Sequence, residues 1–421
     1  MEMEYYDIVV AGAGPAGIAA ALEAARSGLK TALIERYGCV GGNLTLGYVG
    51  PLLGSVCRGT IAEEIEAAIC ETRVYVPDFE RAKIALTHLL DEAGVDVFLQ
   101  TSVVGAEKIG EKINTVYTSG KFGNISFSAE VFVDATGDGD LAVQSGCKFE
   151  MGRTGDGLVQ PVTLMFVIDG VDPNQPLLCH HEEDYTDLGD GREYLDLCHK
   201  ACKTGELPEN VNIVRLYPTG TKTERMVNAT QENRIDPLNP ADVFKAEASL
   251  RRQIGKVVDF LKNNIPGFAN IRVKGSASTL GVRESRRIIG RYQLTEQDLM
   301  QGRTYADSVV HKANFCLDIH NPSGAGQSVH EERRPARPKS YDIPFSAMCP
   351  IGCNNLITAG RCISGTHVAH SSYRVMRICM AMGQAAAAAA SVMCKTKTTT
   401  STVDVEEIRR HLICRGVRLE D

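Results

Sequence analysis

Tryptophan is missing from all 421 residues, and no Cys-x-x-Cys pair occurs among the 14 cysteines. The first absence removes indole stacking from any account of ligand binding. The second removes the compact zinc and iron–sulfur signatures. Cys198-His199 with Cys202 comes nearest and offers too few ligands, so no metal is expected. The cysteines are scattered rather than crowded, which is unlike a small disulfide scaffold. They read as reduced, mostly buried thiols of a cytoplasmic protein. Positive charge is not in excess, with 45 Lys and Arg against 52 Asp and Glu. Without a basic and aromatic stripe, nucleic acid is not an expected partner. Met1-Glu2-Met3-Glu4 lacks the basic opening of a secretory leader. The longest apolar tract, Val375 to Cys394, contains Arg377 and Gln384, so it reads as a buried helix rather than a membrane span.

What is present begins at once. Tyr6 to Val10 is a short β-branched run, the pattern of a buried parallel strand. Gly12-Ala13-Gly14-Pro15-Ala16-Gly17 follows, then an Ala-rich helix over Ile18 to Ser27 that Gly28 stops. Thr31 to Ile34 is the second strand, and Glu35 ends it. Each part has a mechanical reason. Gly12 permits the tight turn, Gly14 clears a Cβ so that backbone N–H groups can approach a pyrophosphate, and Gly17 lets helix and strand pack closely. The helix start offers free N–H donors and its positive dipole end. Glu35 stands where an acid accepts bonds from ribose hydroxyls. Strand, glycines, helix, strand and acid in register specify a dinucleotide site.

Downstream, Glu80 to Ala93 has helical spacing and Val95 to Leu99 reads as a strand. A hairpin-like stretch spans Ile113 to Phe132, and Val131 to Asp134 runs into the turn Ala135 to Asp140. From about residue 150 long polar connections appear, with one amphipathic helix over Ala241 to Asn263. From Tyr341 short buried segments return, including Asn355 to Arg361, and a long helix begins near Ser372, with Ser371 and Ser372 as N-cap candidates. The organisation expected is a nucleotide domain of residues 1–155 and 340–400, an inserted domain of 156–339, and a helical tail of 401–421.

These residues carry a family. The chain resembles FAD-dependent oxidoreductases of the glutathione-reductase-like flavoprotein superfamily over nearly its whole length. The marks are the Gly12 to Glu35 unit, Gly41-Gly42-Asn43, Asp134 to Asp138, Gln160 to Thr163, Gly281 to Arg287, Asp318-Ile319-His320, Gly360-Arg361-Cys362 and Gly383-Gln384-Ala385. The resemblance implies an α/β fold: a three-layer, Rossmann-like FAD-binding domain, discontinuous in sequence, with an inserted α+β substrate domain. It implies FAD as the cofactor. Gly12, Gly14, Pro15, Ala16 and Gly17 would take the pyrophosphate, and Glu35 with Arg36 the adenosine ribose and its surroundings. Gly42 and Asn43 would lie along the diphosphate or ribityl chain, and Val103 against adenine. Ala135, Thr136 and Gly137 would close the adenosine end. Gly360 and Arg361 would make a second diphosphate contact, and Gly383 and Gln384 would lie in the last helix beside the cofactor. A glycine is expected within 385–390, where all six residues are Ala.

Two further absences narrow the chemistry. No second Gly-x-Gly-x-x-Gly follows a strand, so no dedicated nicotinamide domain is expected. No Cys-x-x-x-x-Cys active disulfide is present, which argues against disulfide reduction. On the substrate side, Arg283 is the favoured carboxylate ligand, as a guanidinium binds a carboxylate in a bidentate fork. If 283–287 is extended, Arg283, Ser285 and Arg287 share one face and Glu284 and Arg286 the other. Asp318 and His320 form an acid–imidazole pair suited to proton shuttling. His367, with His370, is a candidate proton donor before the last helix. Gln160 and Thr163 are candidates for the flavin edge. His180 and His181 read as solvated, and Glu331-Glu332-Arg333-Arg334 as surface. The expected activity is hydride transfer between flavin N5 and a small oxygenated or carboxylate-bearing organic substrate. A flavin monooxygenase and a non-catalytic electron-transfer subunit are the alternatives. An external electron donor or acceptor is implied, a homo-oligomer is left open, and no membrane partner is expected.

Overall fold

Ile8, Val9 and Val10 are fully buried although their side chains alternate between two faces, the condition of a strand covered on both sides. The computed structural model describes residues 3–70, 76–180, 186–326 and 336–419. His181 and the Glu331–Arg334 run lie outside the described residues. The first strand, β1 (Met3–Ala11), is followed by α1 (Pro15–Arg26), β2 (Thr31–Ile34), α2 (Ile61–Ile69), α3 (Phe79–Glu92) and β3 (Asp96–Phe98). A meander of β4 (Thr101–Ile109), β5 (Lys112–Gly120) and β6 (Gly123–Asp134) completes the amino-terminal part.

Next come α4 (Asp140–Gln144) and β7 (Phe149–Met151). A second region holds β8 (Phe166–Asp169), α5 (Tyr194–Thr204), β9 (Arg215–Pro218), β10 (Glu224–Asn228), α6 (Pro240–Asn264) and β11 (Arg272–Ser276). The chain returns through β12 (Arg286–Ile288), α7 (Glu296–Gln301), β13 (Ser308–Ala313), β14 (Tyr341–Pro344) and β15 (Leu356–Thr358). It ends in α8 (His367–Tyr373), α9 (Met376–Thr396) and α10 (Val405–Cys414).

The main sheet has seven strands, in the order β3-β2-β1-β6-β5-β4 with β15 also on β6. β6 joins its two halves. It runs parallel to β1 along one edge. On the other edge its start pairs antiparallel with β5, and its end pairs parallel with β15, Leu356 opposite Phe132 and Thr358 opposite Asp134. The carboxyl ends of β1, β6 and β15 thus share one rim, where ligands bind in open parallel sheets. The second sheet is antiparallel, in the order β11-β8-β10-β9, and α6 packs on it.

The expected domain limits shift. The second core runs from Val162 to Leu280, whereas Leu294, Leu299, Val309, Val310, Ala313 and Leu317 pack into the first. The return to the nucleotide domain therefore comes well before 340. Nor is 401–421 a tail, since Ile408 and Leu412 of α10 sit in the first core. Among the described residues one helix, Met376–Thr396, is long and apolar enough to cross a membrane, and 83% of its most apolar window is buried inside the protein.

That last helix corrects three expectations. It does not start at Ser371 or Ser372, which are buried inside α8. The chain turns at Arg374, and Val375 stands at the N-cap of α9 without a side-chain cap. Gly383 does not face a cofactor. A Cβ there would lie 2.0 Å from the Ala16 carbonyl oxygen, so Gly383 is the point where α9 presses on α1. Gln384 is likewise structural, accepting from the Ile61 N–H at 2.9 Å and donating to Glu23 at 3.1 Å. Gly383→Ala drives a Cβ into the Ala16 carbonyl and is expected to cost more than about 3 kcal/mol, read as a strongly lowered thermal midpoint or loss of folded protein.

Candidate functional site

At the end of β1 the backbone swings through Gly12, whose φ is +92° and whose Cβ would sit 2.6 Å from the Ala135 carbonyl oxygen. Gly17 is as constrained, its Cβ position lying 1.7 Å from the Gly12 carbonyl oxygen. Gly14 is different: a Cβ there meets no protein atom within 4 Å. Its open side belongs to a cavity of about 1010 Å³ lined by Gly12, Gly14, Pro15 and Ala16.

The same cavity is lined by Glu35, Arg36, Gly42, Asn43, Val103, Ala135, Thr136, Gly137, Gly360 and Arg361. Gly17 supports the loop from behind and is absent from the lining. Glu35 accepts from the Ala13 N–H at 2.7 Å and the Tyr37 N–H at 2.9 Å, so its carboxylate is fixed at the strand end. Burial raises its pKa against those two donors. Lone pairs remain on both oxygens for further donors such as ribose hydroxyls.

Asp134 shapes the opposite wall. Its oxygens accept from the Thr136 N–H and hydroxyl at 3.0 and 2.7 Å and from the Ala142 N–H at 2.8 Å, folding the turn over the cavity. Asp138 gathers Arg361 at 2.6 Å, the Ser285 hydroxyl at 2.7 Å and Arg36 at 3.2 Å. Arg361 also donates to the Val282 carbonyl, so its guanidinium is held in the wall from both domains. Asp138 lies in the Asp134–Asp138 segment, and its role is set by partners distant in sequence, which spacing alone does not reveal.

The cavity continues into the second domain along Thr163, Met165, Tyr217, Leu280, Val282 and Arg283. Asp318, His320 and Arg374 close it. Arg283 donates to the Pro161 carbonyl at 2.8 Å, and no carboxylate lies within ion-pair distance of it among the described residues. Burial and then Arg374 push its pKa down to about 9, which leaves it cationic at neutral pH. Arg374 donates to both the carboxylate and the carbonyl of Asp318, at 3.2 and 3.0 Å. Sequence reading missed Arg374 because it placed the residue inside one continuous helix.

His320 Nε2 stands 3.6 Å from Asp318 Oδ1. The pair is together as expected, carried on a loop. Its tuning is not that of a neutral-pH shuttle. Burial and then Arg283 push His320 down to about 3. Asp318 is held below the usual carboxylate range by His320 and the two arginines, although burial opposes them. The imidazole is therefore neutral in the free site. Linkage fixes the sign of the consequence. Between about 3 and the ordinary 6.5, the unfolded chain binds this proton and the folded chain does not, so stability falls as pH falls through that window. Buried His370 and Asp318, both depressed, act in the same sense. The thermal midpoint is expected to drop between pH 6.5 and 4, with a shallower slope for His320→Gln.

Two candidates, His367 and Gln160, stand off the cavity, and a third, Thr163, is engaged elsewhere. His367 is not on the cavity; its Nδ1 lies 2.9 Å from Glu284, which also pairs with Arg287. Glu284 and Arg287 are buried, so His367 completes an ion-paired brace and is not placed to protonate a substrate. Gln160 lies behind the wall, its oxygen facing the His320 N–H at 3.2 Å and Arg374 at 3.4 Å, so it supports both residues. Thr163 lines the cavity, but its hydroxyl donates to the Thr230 carbonyl. The alternating faces expected for 283–287 do not form. Only Arg286–Ile288 is strand; Ser285 and Arg286 both turn to the Asp138 segment, and Arg287 reaches back to Glu284. His180, expected in solvent, is half-buried and stacked 5.5 Å from the Tyr217 ring.

Comparison with known proteins agrees with this geometry. The profile of the family described as FAD dependent oxidoreductase matches residues 7–412. Leghemoglobin reductase of Glycine max is 30% identical over 141 residues, 33% of this chain and 25% of that protein. This chain thus spans about a quarter of that relative's length. Thiamine thiazole synthase of Metallosphaera sedula is 29% identical over 32% of this chain and 56% of its own. A geranylgeranyl bacteriochlorophyll reductase-like protein from Thermoplasma acidophilum superposes with a TM-score of 0.50 over 99% of this chain and 85% of its own. At 15% identity it shares the fold.

Proposed function

We propose, since this chain belongs to the FAD dependent oxidoreductase family, that it exchanges a hydride between its flavin and a small carboxylate-bearing or oxygenated organic substrate. The protein is an enzyme and its cofactor is FAD. When bound, FAD supplies two-electron chemistry at its N5. The residues present fit it: a glycine open to the cavity at the helix start, a buried acid at the end of β2, and an Asp138-centred wall. Gly12, Gly14, Pro15 and Ala16 would hold the pyrophosphate, Glu35 the adenosine ribose, and Gly42, Asn43 and Gly360 the remaining chain. A place within the glutathione-reductase-like superfamily is part of the same reading, resting on the Gly12–Glu35 unit.

One observation carries the substrate side. Arg283 faces the cavity, donates to the Pro161 carbonyl, and among the described residues pairs with no carboxylate at ion-pair distance. A substrate carboxylate would complete its fork and be oriented by it. The same anion would offset the charge that depresses His320 and return the imidazole toward its ordinary range. Proton uptake at His320 Nε2 would then be tied to substrate binding. Asp318 would hold the ring, and Arg374 and Gln160 would hold Asp318 and the His320 backbone.

Purified holoprotein tests this directly. Carboxylates and hydroxy acids are added anaerobically while the visible flavin band is followed. Bleaching by a carboxylate and none by its amide supports the reading. No bleaching by any acid, with oxygen consumed when an external reductant is supplied, would select a monooxygenase instead.

A further inference from the structure

Phe244 is 74% exposed, yet it lines the cavity that also holds Arg283 and His320. It sits at the start of the second turn of α6, whose amino end Asn239 caps by accepting from the Ala241 N–H at 2.9 Å. Helix geometry puts Phe244 on the solvent side with Glu247 and Arg251, away from the face that buries Ala246, Leu250 and Ile254. The ring therefore contributes nothing to the second core. Leu238 and Val243, both only half-buried, line the same cavity, as do Met165 and Leu280 further in. A contiguous apolar surface left open beside a cationic site marks a ligand surface.

We infer, resting on the carboxylate reading above, that the substrate is an amphipathic acid whose carboxylate meets Arg283 and whose acyl or aromatic body lies against Leu238, Val243 and Phe244. Charge complementarity places the head, and the apolar strip places the body. A short, fully polar acid would leave Phe244 and Leu238 in water when bound. An acid with a body of several carbons covers them.

The test uses FAD holoprotein and saturated straight-chain acids from butanoate to decanoate, which serve as redox-inert probes. Binding is read from perturbation of the flavin spectrum. In the native protein, affinity is expected to rise about fourfold for each added methylene until the strip is covered. The primary alcohols of equal length are expected to bind at least tenfold more weakly. Phe244→Ala, on the surface and so expected to fold, is expected to bind octanoate about tenfold more weakly and butanoate unchanged. A series flat with chain length would overturn the inference while leaving the carboxylate reading intact. A rising series untouched by Phe244→Ala, with that variant instead altering the oligomeric state on gel filtration, would also overturn it by making the ring a subunit contact. If no acid of any length perturbs the flavin, the carboxylate reading falls, and this inference with it.

Discussion

Gly14→Val is expected to yield a folded protein without the yellow colour of bound flavin. The backbone at Gly14 is extended, with φ −73° and ψ −177°, a conformation valine adopts readily. No protein atom lies within 4 Å of the added Cβ, so the fold loses only a little N-cap preference. The branched side chain instead occupies the space in front of the α1 amino terminus, where a pyrophosphate would have to come. Thermal unfolding and circular dichroism of the variant are expected to match native apoprotein, with the 450 nm region blank and added FAD unretained. The neighbouring glycines give the opposite result. Gly17→Ala drives a Cβ into the Gly12 carbonyl, and Gly12→Ala adds strain at φ +92° to a clash with Ala135, so both are expected to fail as folds. A Gly14→Val protein that keeps its full flavin complement would remove the loop from the cofactor site.

Arg283→Ala is expected to keep its flavin and lose its substrate. Among the described residues the Arg283 hydrogen bond is to the Pro161 carbonyl, not to the glycine loop or to Asp138. Loss of a charge-assisted pair costs about 1.5–3 kcal/mol, or roughly 10- to 150-fold in KM or in the rate of flavin reduction. Arg283→Lys recovers part of the charge but not the fork, because one ammonium cannot hold the carbonyl and grip a carboxylate in two places. The loss of charge also removes the neighbour that, after burial, most depresses His320, so the variant is expected to lose less stability than native protein as pH falls below 6.5. Stopped-flow reduction and a pH series of melting curves read the two effects separately. Native kinetics in Arg283→Ala would take the residue out of the site.

The amino-terminal unit was legible because its constraints are local. Gly12, Gly14 and Gly17 each answer to backbone geometry within a few residues, and β1, α1 and β2 lie close to where the pattern puts them. The meander and α6 were legible for the same reason, through period and punctuation. The misreadings share a different cause. Gln384 is defined by Glu23 and Ile61, His367 by Glu284, and Arg361 by Asp138, all partners that only the tertiary fold supplies. Arg374 marks a corner between two helices with neither glycine nor proline to announce it. The Ala run at 385–390 offers no glycine because the close approach to α1 is made one turn earlier, at Gly383. The site's frame was therefore readable as spacing, and its electrostatics were not.

The pairing of β6 with β15 also bears on biogenesis. A ribosome releases β6 long before it makes the strand that completes that edge, and the whole second core is translated in the interval. Until residues near 360 emerge, the wall begun by Ala135, Thr136 and Gly137 lacks Gly360 and Arg361. Tight flavin retention is therefore expected only once that strand has docked against β6.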